Sequence, residues 1–335
     1  MKVQKMFSMI LTSALTIGLL AGCGSSSSEP ASEAPKTDQA AAKDSIVIGA
    51  AMPVFDDKWL TYLYDEINKY DKEHDDVEVK MVDAKNDSGK QLSQVETFVA
   101  QGVDAIIINP VDTSAVGPMV DAANAANVPV VIVNRMPGDD VLSKIYAYVG
   151  SESTQAGTMQ MEKVVELLGG KGNVAILTGE LGSESQIKRT QGNKDILAKN
   201  PDIKLVREQT AMYQRAEGMK VMENWIQSGD QLNAIVANND EMAIGAIMAL
   251  EAAGKLDGVV VAGIDGTPDA LEYVKSGKLN VSAFQDPMGQ GKGAIEAAVK
   301  AAKGEKLEGA EGNIVNVPFE LITKENVETY IQKWQ

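Results

Sequence analysis

Ala234-Ile-Val-Ala-Asn-Asn239-Asp-Glu-Met-Ala-Ile-Gly-Ala246 is an apolar run that halts at two amides and two carboxylates and then restarts with helical spacing. It reads as a buried strand feeding a helix, with polar side chains delivered at the strand's carboxyl end. In open α/β sheets ligands bind outside the carboxyl ends of the strands. Asn239 is therefore expected in a binding site, with helix capping as its alternative role, whereas Asp240 is expected to cap the helix.

The same grammar extends in both directions. Apolar, β-branched runs at 46–52, 77–82, 105–109 and 129–134 alternate with helical patterns at 59–70, 90–101 and 115–126. After Tyr148-Val-Gly150 the alternation resumes, with strands expected at 173–178, 203–209, 234–237, 259–264 and 280–284 between further helices. Continuous β-branched runs between amphipathic helices predict parallel sheets covered on both faces. Two sets of units of similar length predict two similar doubly wound lobes. A local echo supports this: Gly102-Val-Asp-Ala-Ile-Ile-Ile-Asn109-Pro-Val-Asp112 resembles Gln231-Leu-Asn-Ala-Ile-Val-Ala-Asn238-Asn239-Asp240.

The formal net charge of -16 opposes nucleic-acid binding, which needs a basic surface. A single cysteine, Cys23, excludes a disulfide within the chain and thiolate metal clusters. Lys2 and Lys5 precede an apolar run ending in Leu20-Ala21-Gly22-Cys23, the layout of an export signal. This segment resembles a bacterial lipoprotein lipobox, which implies cleavage at 1–23 and lipid on Cys23. The polar tract 24–44 that follows, opening on Gly24 and four serines, reads as a disordered tether.

Catalytic signatures are scarce. The sole histidine, His74, lies in the polar stretch Lys72-Glu-His-Asp-Asp76 and reads as a solvated residue. Histidine-based triads and zinc sites are thereby unavailable. Gly289-Gln-Gly-Lys-Gly293 lacks the spacing of a phosphate loop and reads as the start of a closely packed helix. Polar and aromatic residues gather instead at strand ends: Asp56, Asp57, Trp59, Asn109, Asp112, Asn134 and Arg135 in the first set, and Glu180, Ser183, Ser185, Arg189, Tyr213, Asn239, Asp265 and Gln285 in the second. Taken singly, Trp59, Tyr213 and Phe284 read equally as core aromatics, and Arg135, Arg189 and Asp265 as structural pairs. Their convergence on strand ends favours a site. Carboxylates accept, guanidinium groups donate, amides do both, and aromatic faces cover the C–H face of a ring. That mixture suits a neutral polyhydroxylated ligand.

From about Ile46 onward the chain resembles the bacterial sugar-binding proteins of ABC importers in the ribose, galactose and inositol class. The resemblance rests on Asn86-Asp87, the stretches around Asn109 and Asn239 quoted above, and Gly263-Ile-Asp-Gly-Thr-Pro-Asp-Ala270. Phe55-Asp-Asp-Lys-Trp-Leu60, Phe284-Gln-Asp-Pro-Met-Gly-Gln-Gly-Lys-Gly-Ala294 and Pro318-Phe-Glu-Leu-Ile322 look most like the inositol or rhizopine-binding branch. The resemblance implies a type I periplasmic binding fold whose lobes are 45–149 with 287–316, and 150–286 with 317–335, joined by three crossovers near Val149, Asp286 and Val317. It implies ligand contacts from Asp57, Trp59, Asn109, Asn134 and Arg135 in one lobe, and from Arg189, Tyr213, Asn239, Asp265 and Gln285 in the other. Ser183 and Ser185 stand where galactose binders carry a histidine and an aspartate, and Gln285 replaces their asparagine, which argues against hexose preference. Leu167-Leu-Gly-Gly-Lys-Gly172 is too short and poor in carboxylates for their calcium loop. The expectation is a monomeric, non-enzymatic lipoprotein without cofactor or metal. It would capture a sugar or cyclic polyol, a myo-inositol-like one above a pyranose or ribose, and deliver it to a membrane permease. The alternative is a sensor presenting its closed form to a chemoreceptor or kinase.

Overall fold

The computed structural model describes residues 45–335. The expected export segment 1–23 with Cys23 and the expected tether 24–44 lie outside the described residues. The first half alternates strictly: β1 (Ile46–Met52), α1 (Lys58–Glu73), β2 (Val77–Asp83), α2 (Ser88–Gln101), β3 (Ala105–Ile108), α3 (Gly117–Ala125), β4 (Val130–Val133), the single turn α4 (Asp139–Leu142) and β5 (Ala147–Gly150). The second half continues with α5 (Ser153–Leu167), β6 (Gly172–Thr178), α6 (Glu184–Lys199), β7 (Ile203–Thr210), α7 (Arg215–Gln227), β8 (Ala234–Ala237), α8 (Asp240–Ala252), β9 (Val260–Ala262), α9 (Pro268–Ser276) and β10 (Ser282–Phe284). The chain closes with α10 (Pro287–Ala302), β11 (Ile314–Asn316), β12 (Glu320–Ile322) and α11 (Val327–Lys333).

Unbroken apolar strands bury both faces, and the packing shows it. In β3, Ile107 joins the layer formed with Leu63 and Ile67 of α1 and Ile295 of α10. Its neighbours Ile106 and Ile108 join the opposite layer, with Phe98 of α2 and Met119 of α3. The first sheet runs β11-β5-β4-β3-β1-β2, parallel throughout. The second runs β7-β6-β8-β9 in parallel between Trp225 of α7 on one side and Met161 of α5 on the other. It is extended to β10 by bridges Ala262 to Val281 and Asp265 to Phe284.

Three crossovers link the sheets: β5 to α5, β10 to α10, and β11 to β12. Helix α10 follows a second-sheet strand yet packs on the first sheet and α1, where Gly291 meets the main chain of Leu63 so closely that a Cβ would lie 2.7 Å from its carbonyl. The glycines of Gly289-Gln-Gly-Lys-Gly293 are thus the packing residues expected from the sequence. One departure is β12, which pairs antiparallel with β10. It enters from the first sheet by the third crossover and so reaches the edge running the other way.

The cap at β8 is a correction. Asn239 is the N-cap of α8, its Oδ1 accepting from Met242 N at 3.0 Å. Asp240 lies inside the helix, fully buried, and binds outward. Its carboxylate accepts from Gly266 N at 2.7 Å, from Thr267 N at 3.4 Å and from Ser282 Oγ at 2.8 and 3.0 Å. Burial pushes its pKa up to about 7 against these donors. Asp240 therefore pins the loop after β9, which carries Asp265, to α8. Asp240→Ala takes this acceptor from Thr267 N and the Ser282 hydroxyl, while Gly266 N keeps Ser282 Oγ at 3.1 Å; the expected loss is about 1–3 kcal/mol, read as a lower urea midpoint with unchanged m-value.

Candidate functional site

The loops at the carboxyl ends of both sheets meet around a cavity of about 340 Å³ of space free of protein atoms, its mouth included. It is lined by Asp57, Trp59, Leu60, Asn134, Arg135, Ser185, Arg189, Tyr213, Asn239, Asp265 and Gln285. Of the ten contacts implied by the resemblance, Asn109 alone is outside the lining; of the other strand-end residues, Asp56, Asp112, Glu180 and Ser183 are outside it as well. Asn109 is fully buried and neither its Nδ2 nor its Oδ1 has a hydrogen-bond partner. Ser185, already among the strand-end residues, lines the cavity, and Leu60 joins it in addition, next to Trp59 on α1. Phe284 is a core residue against Tyr330. His74 is the C-cap of α1, stacked on Tyr70 at 3.8 Å, so it is half-buried and structural and not a freely solvated side chain.

Each lobe contributes one guanidinium, and each is oriented by main-chain carbonyls beyond a strand end. Arg135 Nη1 donates to Pro110 O at 2.9 Å and Val111 O at 3.0 Å. Arg189 Nη1 donates to Asn238 O and its Nη2 to Gln285 Oε1, both at 2.7 Å. Arg189 also pairs loosely with Asp265, 3.6 Å away, and its Nε is buried without a partner. The carboxylates answer these cations. Burial drives the Asp265 pKa well above its ordinary value, with Arg189 opposing the rise and Asp240 and Asp57 adding to it. Asp57, the N-cap of α1, accepts from Leu60 N at 2.9 Å; burial raises its pKa too, against that bond and Arg135.

Two aromatics come from opposite lobes. Trp59 Nε1 donates to Gln285 O at 3.0 Å, tying α1 to the crossover after β10. Tyr213 lies against Gly179, where any Cβ would collide with the ring, and its hydroxyl meets Ser183 Oγ at 3.0 Å. Burial pushes its pKa up to about 12. Asn134, Tyr213 and Asp265 have φ of 69°, 61° and 129°. Non-glycine residues in such conformations cost of order 1–3 kcal/mol each and gather at ligand sites. Asn239 also faces the cavity while capping α8, its Nδ2 donating to Tyr213 O at 3.2 Å.

The site holds fixed donors and acceptors beside two aromatic rings. Among the described residues no group of three or more His, Cys, Asp or Glu could hold a metal ion. Two α/β lobes closing polar strand ends over such a cavity define a solute-binding protein. The family model of the periplasmic binding protein domain matches residues 48–306, and the chain belongs to that family. A "Putative rhizopine-binding protein" of Rhizobium meliloti is 47% identical over 284 residues, 84% of this chain and 91% of the relative. The ribose import binding protein RbsB of Bacillus subtilis is 35% identical over 96% of this chain and 99% of its own length. A crystal structure of an ABC transporter solute-binding protein from Bacillus halodurans with bound myo-inositol superposes with a TM-score of 0.82. It is 48% identical, and the match covers 88% of this chain and 100% of that one. These relatives are solute-binding proteins and not enzymes. The chain is accordingly a sugar- or polyol-binding protein of the ABC-importer type, acting outside the cytoplasm.

The raised carboxylates fix a pH response. For Asp57 and Asp265 the folded pKa exceeds the unfolded value of about 3.9. Between those values the folded state binds more protons, so the ligand-free protein gains stability from these groups as pH falls through that window. Asp265→Asn removes one titrating group. Its thermal midpoint should rise less than the wild type's between neutral pH and the window's lower end.

Proposed function

We propose that the protein captures a neutral cyclic polyol, myo-inositol above other sugars, between its two lobes and hands it to a membrane permease. The observation that carries this reading is the lining itself. Two guanidiniums and two carboxylates leave no net formal charge, amides of both lobes add donors and acceptors, and Trp59 and Tyr213 offer apolar faces. A phosphorylated ligand would need uncompensated cations, and a flat apolar one would leave buried polar groups unpaired. The 48% identity to a myo-inositol-bound protein supports the choice of ring.

In this reading Asp57 and Asp265 accept from ligand hydroxyls, Arg135 and Arg189 donate to ring-bound oxygens, and Asn134, Asn239 and Gln285 do either. Trp59 and Tyr213 cover the two ring faces. Asn109, its amide unpartnered beside the site, contributes through the strand end it occupies. The lobes are 45–149 with 287–316 and 150–286 with 317–335, and they close about the three crossovers. Lipid on Cys23 would hold the mature chain at the outer face of the membrane, with 24–44 as its tether.

Thermal-shift titration against myo-inositol, ribose, galactose and glucose tests the ligand. At a thousandfold excess over Kd the expected stabilisation is about 4 kcal/mol, a rise of several degrees, with myo-inositol producing the largest shift. Asp265→Ala and Arg189→Ala should abolish it while the variants stay folded by circular dichroism. No shift with any of the four would reject the ligand class. Affinity should also fall on acidification from above the ordinary aspartate range, because a protonated Asp57 or Asp265 loses acceptor capacity. That trend is opposite in sign to the ligand-free stability.

A further inference from the structure

Gln91 lies on the inner face of α2, in register with the core residues Val95 and Phe98, and is fully buried. A carboxamide in such a layer is costly unless bonded, and this one is bonded in three directions. Its Nε2 donates to Ala51 O at 3.1 Å and to Asn109 O at 2.8 Å, and its Oε1 accepts from Val111 N at 2.9 Å. One side chain thus fixes the run from Asn109 to Val111 against the end of β1. The carbonyls of Pro110 and Val111, in that same run, are the ones that hold Arg135 Nη1.

The second lobe repeats the device. Gln160 of α5, also fully buried, donates through Nε2 to Ala237 O at 2.8 Å and Gly263 O at 3.0 Å, joining the ends of β8 and β9. The next carbonyl along, Asn238 O, holds Arg189. Arg189 has further partners in Gln285 and Asp265, whereas the hydrogen bonds of Arg135 run to two carbonyls within the run that Gln91 holds at Asn109 O and Val111 N.

We infer that Gln91 is a positioning residue for ligand recognition: by bonding Asn109 O and Val111 N it holds the run whose Pro110 and Val111 carbonyls orient the Arg135 guanidinium, as Gln160, through Ala237 O, holds the strand end next to the Asn238 carbonyl that orients Arg189. A lobe that aims its arginine through strand-end main chain needs something to hold that main chain still. The buried glutamine supplies the hold from the helix beneath. The effect on affinity rests on the cyclic-polyol reading; the effect on Arg135 does not.

Two measurements separate these. The chain has four arginines, Arg135, Arg189, Arg207 and Arg215, so their guanidinium resonances can be followed individually in the ligand-free protein. In Gln91→Met, hydrogen exchange at Arg135 should quicken about tenfold or more while that at Arg189 stays within about twofold, as expected for loss of one coupled contact. Gln160→Met should leave Arg135 unchanged. Calorimetry with myo-inositol then forms a double-mutant cycle. Gln91→Met should weaken Kd about tenfold or more in the wild-type background but less than about threefold in Arg135→Lys. Unchanged exchange at Arg135, or equal losses in both backgrounds, would overturn the inference. Should the wild type not bind myo-inositol, the ligand reading fails and the exchange measurement alone decides. Gln91→Asn, too short to bridge both carbonyls, replaces the methionine variant if that one does not fold.

Discussion

The structure depends on keeping two guanidiniums in a cleft from which most water is excluded. Removing a charge from water costs several kcal/mol even after relaxation. Here each cation is compensated by carbonyl oxygens that lie just beyond parallel strands, where they are free to accept. Parallel strand ends from both sheets face the same space, so the arrangement can be built twice. The neighbouring carboxylates bear the same cost from the other side, which is why burial raises Asp57 and Asp265 despite the arginines nearby. The 3.6 Å separation of Arg189 and Asp265 leaves both groups incompletely bonded. A polyol hydroxyl can serve such a pair because it donates and accepts at once.

Strain is concentrated at the same place. Asn134, Tyr213 and Asp265 follow different strands, yet all three hold positive φ beside the cavity. Surrounding contacts enforce each one: Asn134 is held by Gln290 and Tyr148, Tyr213 by Ser183 and the bare backbone of Gly179, and Asp265 by its bridge to β10. Side chains aimed this way need little further ordering, which lowers the entropic cost of forming contacts.

The strand–helix alternation was legible because short, unbroken β-branched runs such as Ile106 to Ile108, set between amphipathic helical patterns, suit a sheet covered on both faces better than a buried helix. The strand-end residues were legible for the same reason. What pattern could not resolve was the division of labour between adjacent polar residues. Asn239 and Asp240 both suit a cap, and the choice is made by Ser282, 42 residues away in sequence, whose hydroxyl draws Asp240 into a buried network. The direction of β12 is likewise set by where the third crossover enters the sheet, which no local pattern encodes. Gln91 was hidden differently. It occupies a core-facing helical position, where a polar residue looks like noise until its three backbone partners are known. Asn109, assigned by resemblance, sits at the expected strand end but is fully buried and absent from the lining.

The lobes are joined directly by modest contacts. Trp59 bonds the crossover at Gln285, and Tyr62 of α1 meets Trp334, after α11, edge-on at 4.6 Å. Contacts of these two kinds are worth about 1 kcal/mol each, small beside the cost of bringing polar strand ends together without a ligand between them. A ligand shifts a conformational equilibrium only by the difference in its affinity for the two states. On the proposed reading that difference is large, because the closed form alone presents Arg135 and Asp57 from one lobe together with Arg189 and Asp265 from the other. Weak direct contact between lobes and strong contact through the ligand follow from one arrangement: the charged groups are aimed at the cavity, with Arg189 and Asp265 only loosely paired.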